Sequence, residues 1–154
     1  MILAAQHIRA LALSDQKMIS PFHERKTAGG MTFGLSPAGY DIRVAQAVAL
    51  NPGNFVLASS IEHFNIPNGL QAIVHDKSTL ARRGLAVQNT VLEPGWRGYI
   101  TLELSNHGFE FIMLAAETPI AQVVFHQLSA PTEQPYEGKY QDQKAGPVNA
   151  IWEY

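Results

Sequence analysis

The sequence predicts an all-β barrel or sandwich that follows a short helical segment. Two observations carry this reading. Short apolar runs recur at residues 40–44, 55–58, 70–75, 99–104, 109–114 and 120–128. Turn signals fall between them, at Asn51-Pro52-Gly53, Pro67-Asn68-Gly69, Glu93-Pro94-Gly95 and Asn106-His107-Gly108. With 154 residues, 46% hydrophobic and 16% charged, the chain has enough apolar material for one core and is too apolar for disorder. Residues 1–154 are therefore read as one domain.

At the N-terminus, Ile2, Leu3, Ile8, Leu11 and Leu13 stand at roughly helical spacing, and Ser14 with Asp15 offers a cap for a second short helical turn through Met18. Residues 27–39 hold four glycines and Pro37, which reads as an irregular loop lining a site. In the run 99–104, Thr101 and Glu103 alternate with Ile100, Leu102 and Leu104. A half-buried strand there carries Glu103 on its polar face, held by a rigid element. After Pro131 the composition turns to Thr, Glu, Gln, Pro, Tyr, Gly and Lys, so residues 131–154 are expected to form a mobile C-terminal lid.

Composition also excludes several functions. A formal charge of −2 gives no bulk attraction to nucleic acid or to an anionic membrane, so neither is expected as a partner and any polyanion site must be local. No apolar run approaches the roughly 18 residues of a spanning helix, and no cationic segment precedes Ile2-Leu3-Ala4-Ala5; a cytoplasmic protein is expected. The chain has no cysteine, which removes disulfides, thiol nucleophiles and the Cys-containing zinc signature of common cytidine deaminases. His7, His23, His63, His75, His107 and His126 have no ligand spacing, so no zinc or other protein-held metal is expected.

Three segments within 27 positions carry the candidate chemistry: Lys77-Ser78-Thr79-Leu80-Ala81-Arg82-Arg83-Gly84, Glu93-Pro94-Gly95-Trp96-Arg97-Gly98, and Tyr99-Ile100-Thr101-Leu102-Glu103. Ser78 can cap a short helix ended by Gly84, and exposed N–H groups beside Lys77 and Arg82 make an anion site. Taken alone, the first segment also fits a solvated basic turn, Glu93 a turn-opening residue and Glu103 a surface glutamate.

The order S-T-L-A-R-R-G-L, E-P-G-W-R-G, T-L-E-L and K-Y-Q-D-Q resembles the dCTP deaminase and dUTPase family, and dCTP deaminases most closely. Residues 13–19 resemble the family's L-x-D segment, 39–44 its x-x-D-x-R strand and 119–128 its penultimate strand. The resemblance implies a distorted jelly-roll or β-barrel of the dUTPase-like type, assembled as a homotrimer with sites at the subunit interfaces. It implies a pyrimidine deoxynucleoside triphosphate as substrate, with magnesium accompanying the phosphates. The family's phosphate-binding run falls on Lys77, Ser78, Thr79, Leu80, Ala81 and Arg82, its catalytic glutamate on Glu103 beside Thr101 and Leu102, and its tail contacts on Tyr136, Lys139 and Gln143.

Deamination of dCTP to dUTP and ammonia is the first expectation. Water must attack C4 while one group takes its proton and returns protons to the ring nitrogen and the leaving ammonia. Glu103 is the candidate shuttle, since flanking leucines can raise its pKa; Ser78 and Arg82 would position water and substrate. The chain departs from the family pattern at Lys77, where Arg is usual, and at Gln88-Asn89-Thr90, where a longer T-A-H or T-A-G loop is usual. Glu93 takes the position of the aspartate that activates water in dUTPases, so dUTP diphosphatase or a bifunctional enzyme stands as the alternative. A catalytically silent nucleotide-binding regulator is the third reading.

Overall fold

The computed structural model describes residues 1–152. Helix α1 (Ala5–Leu13) buries Ile8 and Ala12. It ends at Ser14, whose hydroxyl donates back to the Leu11 carbonyl at 2.7 Å. Ser14 therefore closes the first helix, and no second helical turn follows it. The strands then run β1 (Ile19–Ser20), β2 (Lys26–Ala28), β3 (Met31–Ser36), β4 (Gly39–Arg43), β5 (Val48–Leu50), β6 (Phe55–Asn65) and β7 (Leu70–Asp76). After the short helix α2 (Ser78–Ala81) come β8 (Leu85–Val87), β9 (Val91–Leu92), β10 (Arg97–Asn106), β11 (Ile112–Leu114) and β12 (Pro119–Gln127).

Three sheets result, all antiparallel: β1-β6-β10-β8, β2-β3-β4-β12-β7-β9, and the pair β11-β5. The two larger sheets share one core. Phe64 of β6 meets Phe125 of β12 with ring centroids 6.4 Å apart, and Tyr40, Ile42, Leu102 and Leu104 are fully buried around them. The all-β expectation holds, and so does the helical start.

Two expectations need correction. Residues 27–39 are not an irregular loop: β2 and β3 form a hairpin through Gly29 and Gly30, both at positive φ. Gly34, inside β3, also has positive φ, and a Cβ there would stand 2.5 Å from the Glu24 carbonyl oxygen. The glycines serve a turn and a close backbone pass, so their density hides a strand. The run 109–114 is a strand only over Ile112–Leu114, because Phe109 is fully exposed in the preceding loop.

Candidate active site

Strand β10 lies between β6 and β8, with Glu103 opposite Leu57 and Thr101 opposite Ser59. Its burial alternates: Ile100, Leu102 and Leu104 face the core, whereas Thr101 and Glu103 are half-buried on the other face. That face opens into a cleft of about 750 Å³ lined by Phe55, Leu57, Asn89, Thr90, Val91, Leu92, Glu93, Trp96 and Tyr140 as well as Thr101 and Glu103. The volume suits a small-molecule ligand. Burial alone pushes the Glu103 carboxyl above the usual carboxylate range. The lining includes no Lys, Arg or His, so no cation pulls it back.

The tail closes one side of this cleft. Residues 131–152 contain no helix or strand, yet they are tied down: Gln143 pairs with Gly98 in a parallel bridge, Tyr99 N–H donates to the Gln143 carbonyl at 2.9 Å, and the Trp96 indole donates to the Tyr140 carbonyl at 2.8 Å. Gly98 permits this approach, since a Cβ there would sit 2.7 Å from the Gln143 nitrogen. The Gln143 amide donates to the Thr101 hydroxyl, and Arg97 pairs with Asp142. Tyr136 and Gln143, both expected in the site, line the cleft. Lys139 does not: it is exposed, and its ammonium donates to the Ile151 carbonyl.

A second cleft, about 570 Å³, contains Lys77, Ser78 and Thr79 with Arg25, Thr32, Ser36, Asp41, Asp76 and Gln122. The Lys77 ammonium turns inward to Asp41 at 2.7 Å, while Thr32 and Gln122 also donate to that carboxylate, each at 3.0 Å. Ser78 is not the cap of α2, as the spacing had suggested. Lys77 holds that position without a side-chain cap bond, and Ser78 is the first helical residue with its side chain exposed. Leu80 packs into the core; Ala81 and Arg82 are exposed. The two clefts share no lining residue, so one chain does not bring Ser78 or Arg82 face to face with Glu103.

A family model described as dCTP deaminase-like matches residues 41–128, which covers β4 through β12. The chain belongs to the dCTP deaminase-like family. Relatives named dCTP deaminase include one from Acidobacterium capsulatum, 36% identical over 89% of this chain and 92% of its own. Another, from Campylobacter concisus, is 35% identical over 84% and 88%. Among solved structures, a dUTPase of EIAV aligns with a TM-score of 0.59 at 20% identity over 79% of this chain and 98% of its own. A mutant dUTPase from phage phi11 of S. aureus aligns with a TM-score of 0.57 at 16% identity over 83% and 95%. Those likenesses establish the dUTPase-type β fold.

Within this family fold, several contacts escaped sequence reasoning. Arg43 and Glu62 form a buried pair at 2.9 Å, and Glu62 also accepts the Arg43 backbone N–H at 2.9 Å. Burial pushes Glu62 upward even with these bonds opposing the shift. The Asp41 and Lys77 pairing spans 36 positions, and Gln122 joins from another strand. Local spacing holds no signal for partners so distant. Among the described residues no group of three His, Asp or Glu side chains is placed to hold a metal ion, and no helix is long and apolar enough to cross a membrane.

Proposed function

We propose that the chain catalyses hydrolytic deamination of dCTP to dUTP and ammonia, with Glu103 as the proton shuttle. The observation that carries this is a single carboxyl group, fixed on the central strand β10, raised in pKa by burial and facing a nucleotide-sized cleft. Relatives of similar length bear the dCTP deaminase name.

In the reaction, ionised Glu103 takes a proton from the water that attacks C4 and passes it to N3. The tetrahedral carbon then collapses, the C4–N bond breaks as the amino group gains a proton, and ammonia leaves. A raised pKa suits a group that must first accept a proton and then give it back. The chain's lack of cysteine fits this zinc-independent scheme.

The site is proposed to be shared between subunits of a homotrimer. The Glu103 cleft is lined by carboxyl, amide, hydroxyl and apolar groups, so it offers no charge to a triphosphate, whereas the second cleft holds Arg25, Lys77, Ser78 and Thr79. A partner's second cleft set against the first would supply phosphate contacts, with Arg82 at its margin. Magnesium would enter on the triphosphate oxygens: both Asp41 oxygens are already engaged, and Asp76 accepts the Val87 N–H at 2.7 Å. The remaining tail, with Lys139, is proposed to act as the lid, in a cytoplasmic enzyme.

One observation favours a second activity. Glu93 lines the same cleft as Glu103, so a carboxylate is present for activating water toward a phosphate. Incubation of the purified protein with dCTP or dUTP plus magnesium separates the readings. Ammonia from dCTP supports deamination, pyrophosphate from dUTP supports diphosphatase activity, and neither product supports a regulator.

A further inference from the structure

Asn89 sits where the chain leaves the sheet beside the Glu103 cleft. The β8 and β10 ladder runs Leu104 to Val87, Ser105 to Ala86 and Asn106 to Leu85, and the next bond, Gln88 N–H to the Glu103 carbonyl at 2.8 Å, continues it. A regular antiparallel pair would return a bond from Glu103 N–H to the Gln88 carbonyl. Here Glu103 N–H donates instead to Asn89 Oδ1 at 3.2 Å, while Asn89 Nδ2 donates to the Thr101 carbonyl at 2.8 Å. The side-chain amide replaces a strand residue. Only one orientation of that amide satisfies both groups, so its donor and acceptor are assigned by the network.

The geometry points to Asn89 as a positioning residue for Glu103. It clamps the backbone on both sides of Leu102, fixing the direction in which the Glu103 carboxyl enters the cleft, and its half-buried side chain stands against the same wall. Because this rests on the deaminase reading for its kinetic consequence, the Glu103 carboxyl itself supplies a readout that needs no turnover. Its titratable neighbours in the cleft are Glu93, Tyr136 and Tyr140; the β6 wall contributes apolar Phe55 and Leu57, and no cation lines the space. Asn89 is thus the neighbour whose replacement can set the sign of a change in Glu103 titration. Removing the amide admits water and favours the charged form. Replacing it with a carboxylate places a like charge at the Glu103 backbone and disfavours that form.

The experiment is a carboxyl-carbon NMR titration of the full chain as wild type, Asn89→Ala and Asn89→Asp, with the Glu103 signal identified by its loss in Glu103→Gln. Steady-state dCTP kinetics are measured on the same preparations. The Glu103 midpoint is expected to fall in Asn89→Ala and to rise in Asn89→Asp, with the acid limb of the rate profile following each. In Asn89→Ala the kcat for deamination is expected to fall by about 10-fold or more with little change in KM, as for a misplaced reacting group. A purely structural role would lower folded yield in both variants without moving the midpoints in opposite directions. Midpoints that stay at the wild-type value in the folded variants overturn the proposal. If Asn89→Ala does not fold, Asn89→Asp, which keeps the acceptor for Glu103 N–H, decides it. A wild type that releases no ammonia from dCTP removes the deaminase reading, while the titration still decides whether Asn89 positions Glu103.

Discussion

Lys77 and Asp41 form an ion pair at 2.7 Å with side chains only 12% and 5% exposed. The cation that opens the phosphate run is thus anchored to β4 before any nucleotide arrives. Truncation of one partner leaves the other charge nearly buried and unpaired. Asp41→Ala is therefore expected to lower unfolding stability in urea by about 3 kcal/mol, whereas Ser78→Ala, at an exposed position, stays within about 0.5 kcal/mol of wild type. Equal stability of Asp41→Ala and wild type would show that the pair does not anchor α2.

The tail has an anchored part and an end beyond it. Bonds from Tyr136, Gln141, Asp142 and Gln143 reach residues 94–101, and the core lies almost wholly before Pro131. Truncation after Pro131 is expected to leave a folded protein with a raised KM for dCTP and lowered turnover, since the closing segment excludes water. Truncation after Gln143 keeps the anchors and should lose less. Identical kinetics for all three lengths would remove the lid.

The separation of Glu103 from Ser78 in one chain predicts complementation. Light scattering at micromolar concentration should give a trimer. Glu103→Gln and Ser78→Ala chains, each weakly active alone, should regain activity when unfolded and refolded together, because some interface sites then combine an intact Glu103 with an intact Ser78. A fully active monomer, or mixed chains no more active than either parent, would contradict a shared site.

The parts of the fold legible in sequence are those governed by local periodicity. Thr101 and Glu103 alternate with buried leucines along β10, and turn residues mark most strand ends, because both patterns follow from the pleat and from backbone φ preferences. The β2 and β3 hairpin was hidden because its glycines resemble loop residues, although Gly34 is required by a backbone neighbour from residue 24. The site divides in the same way. Glu103 and Glu93 stand out as residue types in ordered motifs, but Asn89 acts through hydrogen bonds 12 and 14 positions away, and the inward turn of Lys77 depends on Asp41 and Gln122. Such contacts arise only when strands are assembled.

The pH dependence follows from the direction of the Glu103 shift. Burial holds its carboxyl protonated to a higher pH than an ordinary glutamate. As the base that takes the water's proton, it must be ionised, so kcat/KM should rise as pH increases through this raised value and be lost below it. The acid limb is expected above the roughly 4.3 of free glutamate. A limb at or below that value would remove Glu103 as the group being titrated. Glu93→Gln should leave this limb in place while abolishing any pyrophosphate release.

The most direct measurement is ammonia release from dCTP by wild type and Glu103→Gln, with nucleotide binding and oligomeric state measured alongside. The substitution keeps nearly the same shape and removes the ability to accept a proton. Wild type is expected to produce dUTP and ammonia, and Glu103→Gln to bind dCTP and assemble normally while deamination falls by about 10² to 10⁴. Wild-type turnover in Glu103→Gln, or a wild type that releases pyrophosphate from dUTP and no ammonia from dCTP, would contradict the account.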